Sequence, residues 1–268
     1  MIVLRIASLR IGLEGLPAGL PAWEVLAPFE ESPAGAPDLR LRCRVVPGHP
    51  HPEWKGDADF EDLPDGAVAF RRQDFEGRFD PASGLGEVEV CPHAGSLRAT
   101  LRFSVALALL ERDGFLLHAA GLSSGGTAHV LCGPSGAGKS TAAALSQGRA
   151  RILSSELCGL LRGPGGGWQA WGTPFAAPED PRGSPEGAPL AALALIEQSA
   201  RAEALPVGPS EAVRRLYPQI LRPSRRRDRH ARWLDLAAAA SREVPCFRLG
   251  FRKDASFWKV LQAGERAA

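Results

Sequence analysis

The sequence predicts an α/β fold behind a mostly β N-terminal domain, on three observations. Residues 1–98 hold short apolar or alternating runs separated by Pro and Gly clusters, the pattern of strands joined by exposed turns. Residues 96–114, SLRATLRFSVALALLERDG, place leucines and a valine at helical intervals among good helix formers. Beyond them an apolar strand runs straight into a glycine-rich loop that opens a helix, and strands and helices follow to the end. That order implies an α/β layer around a largely central sheet.

Taken in order, residues 1–98 contain the strand candidates IVLRIASLRI, DLRLRCRVV, GAVAFRRQ, EGRFDPA and GEVEVCP. The stretch PGHPHPEWKGD marks an exposed loop. His49 and His51 flank prolines there with no partner motif, and with His93 they read as surface residues rather than metal ligands. The helix over 96–114 is expected to stop at Gly114 as its C-cap. FLLHAAGL and TAHVLCG then form a hairpin around Ser-Ser-Gly-Gly. KSTAAALSQG is a short alanine-rich helix stopped by Gly148, and ARILSSE a buried strand ending at its polar tip. CGLLRGPGGGWQAWGTPF reads as two strands around a glycine-rich turn. PLAALALIEQS fits strand or helix. GPSEAVRRLYPQIL is a helix with Ser210 as N-cap, RPSRRRDRHARWLDLAAAASREV a second, and the chain finishes with strand PCFRLGFRKD and helix ASFWKVLQAG. The domain boundary is expected between residues 98 and 99.

Composition narrows the function classes. The 268 residues are 44% hydrophobic and 23% charged, enough for a sizeable core in one large or two small domains. Thirty-two basic residues against thirty acidic leave a formal charge of +2, so no global field draws the chain to nucleic acid or a membrane. No apolar run approaches the roughly twenty residues that span a bilayer, and the N-terminus alternates like a strand rather than a secretion signal. Cys43, Cys91, Cys132, Cys158 and Cys246 are scattered in apolar segments and read as buried thiols of a reducing, cytoplasmic compartment.

The chemistry centres on one motif. Gly133, Pro134, Ser135, Gly136, Ala137, Gly138, Lys139 and Ser140 fit G-x-x-x-x-G-K-[ST] at every fixed position, with Thr141 next. Glycines let such a loop turn its N–H groups inward as an anion nest, and the following helix adds the positive end of its dipole. Lys139 should reach the β- and γ-phosphates of ATP, and Ser140 should ligate Mg²⁺. Transfer also needs a further metal partner and a group to take the acceptor's proton. Glu156 is the first acid after the loop and could serve as either, at a strand end facing the ligand crevice. His118, inside an apolar strand, reads on periodicity alone as a core residue. Six arginines among residues 222–232 offer an anion-binding patch or a solvated helix face, with Arg222 a weak candidate for assisting a phosphate.

Together, FLLHAAGL, GPSGAGKSTAAA, RILSSEL, WGTPF, PLAALALIEQS and VPCFRLGFRKDASFW resemble the HPr kinase/phosphorylase-like proteins, in particular the shorter HPr-kinase-related group found beside peptide-modification systems. The likeness runs from about residue 100 to the end. It implies a P-loop kinase core of the HPr kinase C-terminal type, makes residues 133–140 the ATP and Mg²⁺ loop, gives His118 the place of the histidine that precedes it, and puts Gly172 to Phe175 near the active centre. In relatives the strand after the loop helix ends in two acids, read as base and metal partner. Here those positions are Ser155 and Glu156, so the first acid is missing.

The reading is therefore an ATP-dependent, Mg²⁺-assisted phosphotransferase acting on a hydroxyl, a serine of a peptide or small protein, with Lys139, Glu156 and His118 as catalytic residues and Ser140 and Glu156 as metal ligands. Homo-oligomers are implied by relatives that form hexamers. Two alternatives stay open: a nucleotide-binding partner or scaffold of a peptide-modification system that has lost transfer, which the Ser154-Ser155-Glu156 segment favours, and small-molecule phosphorylation or a carboxykinase-like reaction on a small acid.

Overall fold

Strict alternation builds the first sheet. In the computed structural model, which describes residues 1–17, 19–46 and 56–267, strand β4 (Leu39–Val45) turns Leu39, Leu41 and Cys43 inward and its arginines outward, as a half-buried strand must. It lies in a sheet of eight strands. The others are β1 (Ile2–Ile6), β2 (Leu9–Glu14), β3 (Glu30–Glu31), β5 (Asp59–Asp62), β6 (Val68–Arg72), β7 (Phe75–Asp80) and β8 (Leu85–Val90), in the order β3-β1-β2-β4-β8-β7-β6-β5. A short helix α1 (Trp23–Leu26) precedes β3. The run IVLRIASLRI, expected as one strand, is a hairpin: β1 pairs antiparallel with β2, and Ala7 and Ser8 at its tip take φ of 50° and 70°, the left-handed values of a tight hairpin turn. His49 and His51 lie outside the described residues.

Helix α2 (Ala94–Leu110) is apolar nearly all round and almost wholly buried, which fits a helix packed on both sides. His93 is its N-cap, with Nδ1 accepting from the Gly95 N–H at 3.0 Å. The helix stops at Leu110 rather than at Gly114, because Asp113 supplies the left-handed turn at φ 54°. Gly114 is needed for a different reason: a Cβ there would sit 2.8 Å from the Leu160 carbonyl oxygen. The predicted boundary between residues 98 and 99 falls inside α2. One continuous core joins Leu4, Ile6 and Phe70 of the first sheet to Leu107 of the helix and to Leu157 and Leu193 beyond it.

The second sheet carries the site. Its strands are β9 (Gly114–Ser124), β10 (Thr127–Cys132), β11 (Arg151–Ser154), β12 (Leu157–Arg162), β13 (Trp168–Trp171), β14 (Gly187–Gln198), β15 (Glu203–Pro206) and β16 (Cys246–Phe251). The main order is β10-β9-β12-β13-β14-β16-β15, and β14 also pairs with β10, which closes a five-stranded ring. Hairpin β9–β10 turns at Gly125 and Gly126, φ 61° and 85°. The ambiguous stretch PLAALALIEQS is strand β14, parallel to both β10 and β16. Helices α3 (Lys139–Leu145), α4 (Pro209–Leu216), α5 (Arg227–Glu243) and α6 (Phe257–Ala267) complete the fold. Helix α4 starts from Gly208 with Pro209 in its first turn, so Ser210 lies inside the helix and is not its cap. All five cysteines are free and buried. Burial pushes the thiols of Cys43, Cys132, Cys158 and Cys246 up to about 12, so they stay protonated and inert.

The arginine-rich stretch over 222–232 is absorbed by the fold. Arg229 pairs with Asp62 of β5 at 2.6 Å, both side chains about nine-tenths buried. Asp62 also accepts from the Ser224 hydroxyl and the Arg225 N–H, each at 2.6 Å. Arg226 pairs with Asp228, and Arg232 with Glu111 and Asp113. Arg222 stacks on the Tyr217 ring at 4.3 Å and donates to the Tyr217 carbonyl; it is not at the glycine loop. The stretch thus clamps α5 to the first sheet. Asp62→Ala strands the Arg229 guanidinium and is expected to cost about 3 kcal/mol in a urea unfolding curve, the lower end of the range for breaking a buried pair.

Candidate functional site

The glycine loop is shaped by close backbone approaches. Gly138 holds φ 107°, and a Cβ there would sit 2.6 Å from the Phe251 ring; one on Gly133 would sit 2.7 Å from the Ile196 carbonyl oxygen. Both positions therefore demand glycine. Gly136, φ 78°, faces open space. The loop is propped from β14, where Gln198 Nε2 donates to the Gly136 carbonyl at 2.7 Å. Below it a small separate core of Leu131, Ala137, Ala142, Ala143, Phe251 and Trp258 forms the floor. The alanines of α3 are what let the helix lie this close. Lys139 is buried and its Nζ donates to the Gly133 and Pro134 carbonyls at 2.7 and 2.9 Å. An ammonium has three donors, so one remains for a ligand in the cavity.

Ser154-Ser155-Glu156 joins β11 to β12. The two strands are halves of one antiparallel run along β9, and the register slips just before this junction, between Ile152 and Ser154. Each residue of the junction has its own task. Ser154, fully buried, accepts from the Glu156 and Leu157 N–H groups at 3.2 and 3.1 Å, which closes the kink. Ser155 donates to the Pro181 carbonyl at 2.9 Å. Glu156 is left facing a cavity of about 350 Å³. From the other side Thr173, in the GTPF segment, donates to the Leu157 carbonyl and its N–H donates to that of Leu153 at 3.2 Å. Gly172 is required here, since a Cβ would overlap the Ser184 carbonyl oxygen at 1.6 Å. Glu156, expected at the end of a strand in an open α/β sheet, lies two residues past the end of β11, in the bend between β11 and β12 that follows a bulge at Ile152–Ser154. Bulges beside functional sites re-aim side chains in this way.

The cavity gathers His118, Ser135, Gly136, Gly138, Lys139, Ser140, Thr141, Ser155 and Glu156 with Asp180, Gln198 and Lys253. The expected residues Gly133, Pro134 and Ala137 shape the loop behind this surface. Ser140 Oγ donates to Asp180 Oδ2 at 2.8 Å. Burial raises the Glu156 carboxyl above its ordinary range, with Asp180 adding to the rise, while Arg102, Arg98 and Lys139 oppose it. Burial likewise lowers Lys139. His118 is driven down to about 4, by burial first and then by the Lys139 and Arg102 charges, so its ring is neutral near pH 7.

Sequence reasoning missed Asp180, Arg98, Arg102, Gln198 and Lys253. Arg98 and Arg102 lie one turn apart on α2 and so share a face; burial lowers both, and Glu156 opposes it. Two arginines at i, i+4 in an otherwise apolar helix were a readable signal, since buried charges need partners. Asp180 had none, being one acid in a polar loop. His118 also carries a stability consequence. A histidine whose folded value lies below its ordinary 6.5 loses stability as pH falls from about 6.5 to about 4, because the unfolded chain takes the proton first. His118→Gln is expected to flatten the loss of melting temperature over that interval, measured by thermal melts at successive pH values.

Strand, glycine loop, short helix and facing acids define a mixed α/β chain whose glycine loop shares one cavity with two carboxylates and a neutral histidine. The chain belongs to the family described as SynChlorMet cassette protein ScmC, whose pattern matches residues 99–263, more than half of the chain. That span holds the second sheet, the cavity and most of α2. No curated protein matches the chain. Among the described residues no helix is long and apolar enough to cross a membrane.

Proposed function

We propose that the chain is an ATP-dependent, Mg²⁺-assisted phosphotransferase resembling HPr kinase, with a serine hydroxyl of a peptide or small protein as acceptor. The observation that carries this reading is the shared cavity: the Lys139–Ser140 end of the glycine loop opens on the same space as Glu156 and His118. The fold supports it, since the loop follows β10, the strand that runs parallel to β14 and through it to β16. The residues fit the groups they would hold. The loop offers glycine backbone and a buried lysine to phosphates, and Ser140 with Glu156 offers the hard oxygen donors that suit Mg²⁺.

In this reading the acceptor oxygen attacks the γ-phosphorus, the bond from that phosphorus to the β–γ bridging oxygen breaks, and ADP leaves with the bridging oxygen. Ser140 and Glu156 would hold a Mg²⁺ ion, which would supply charge neutralisation at the transferring group. Lys139 holds the phosphates in line, and Glu156 accepts the hydroxyl proton, helped by a raised affinity for it. His118, neutral near pH 7, orients the acceptor by hydrogen bonding. The family's description as a cassette protein favours an acceptor encoded alongside it, and the five buried thiols suit a reducing cytoplasm. Transfer of label from γ-labelled ATP to a co-encoded peptide tests the proposal. Labelled product is expected; intact ATP binding without any transfer defeats the kinase reading in favour of a nucleotide-binding partner.

A further inference from the structure

Resting on the nucleotide reading above, we infer that Asp180 supplies the metal-facing carboxylate that Ser155 lacks, and that Ser155 has become the anchor of the loop that delivers it. Ser140 is the hydroxyl that a G-x-x-x-x-G-K-S loop turns toward a divalent cation, and the group touching that hydroxyl is Asp180, at 2.8 Å. Asp180 also lies near enough to Glu156 to raise it. The cavity therefore has two carboxylates beside the loop serine, though the strand pairing with β9 contributes only one.

The segment carrying Asp180 is held at both ends by residues of the site's own scaffold. Arg98 of α2, itself buried, donates to the Ala176 carbonyl before it. Ser155 donates to the Pro181 carbonyl directly after it. Between these ties the chain makes a turn, Asp180 N–H to the Ala177 carbonyl at 3.1 Å. A carboxylate at position 155 could not make the second tie, because an ionised acid only accepts hydrogen bonds and the partner is a carbonyl oxygen. A hydroxyl at 155 and an acid at 180 are thus coupled choices: the first secures the loop, and the second restores the charge.

Calorimetric titration of ATP into the full chain, once in EDTA and once in MgCl₂, tests this. Wild-type protein is expected to bind ATP more tightly with Mg²⁺. In Asp180→Asn that gain is expected to fall at least about tenfold, the scale of losing one ligand-group interaction, while affinity in EDTA holds or improves because a negative charge near the phosphates is gone. Ser155→Ala, with the loop untied, should lose part of the gain. Ser155→Asp placed in the Asp180→Asn background should recover it. A full Mg²⁺ effect in Asp180→Asn, with its melting temperature matching wild type, overturns the inference while leaving nucleotide binding standing. Wild-type protein that binds no ATP in either buffer overturns both.

Discussion

Replacing Lys139 with alanine is expected to abolish phosphoryl transfer and to weaken ATP binding at least about 100-fold, the scale seen when one preorganised charge is removed from a site. The size follows from where the ammonium sits. It is buried at the foot of the loop, bonded to the Gly133 and Pro134 carbonyls, so it is both a positive charge lining the cavity and a tie across the loop. Burial makes that charge costly, which is why the group sits below the ordinary lysine value. In the proposed reading the charge of a bound polyphosphate offsets that cost. Titration calorimetry and label transfer check the two halves separately. Retained affinity in Lys139→Ala would show that the ammonium does not grip phosphate.

The motif carrying that prediction was legible because every requirement is local. Glycines, lysine and serine must follow one another, and an apolar strand must precede them. The hairpins around Gly125 and Gly126 and around the 163–167 turn were legible for the same reason. What lay beyond the sequence was the pairing of distant segments. Glu156 lines one cavity with the glycine loop, but its placement depends on a register slip against β9 that only the neighbouring strands define. Asp180 is forty residues from Ser140 and reaches it through a loop fixed by Arg98 and Ser155. The arginines of 222–232 read as an anion patch or a solvated helix face because several of their partners, Asp62, Glu111 and Asp113, come from other elements. Charge in sequence announces a need for a partner without naming it.

Glu156→Gln is expected to slow transfer about 100- to 10,000-fold, the usual contribution of a positioned acid–base group, and at the same time to raise the melting temperature at pH 7. The two effects have one cause. Burial holds the Glu156 carboxyl above its ordinary 4.5, despite Arg102 and Arg98 nearby. An acid whose folded value is raised stabilises the fold only while protonated, and that stability is lost as pH climbs through the raised value. Once pH passes that raised value the wild-type fold carries a buried, ionised carboxylate, and the glutamine removes that cost without changing the shape of the side chain. Below pH 4 both side chains are neutral and the two melting temperatures should converge. Removing an opposing charge makes the same point from outside: Arg102→Met should push the acidic limb of the kcat/KM profile to higher pH, since the carboxylate then ionises later. A glutamine variant that melts lower than wild type at pH 7 while keeping its turnover would mean that Glu156 is a structural residue of the bend between β11 and β12 and that the proton leaves by another route.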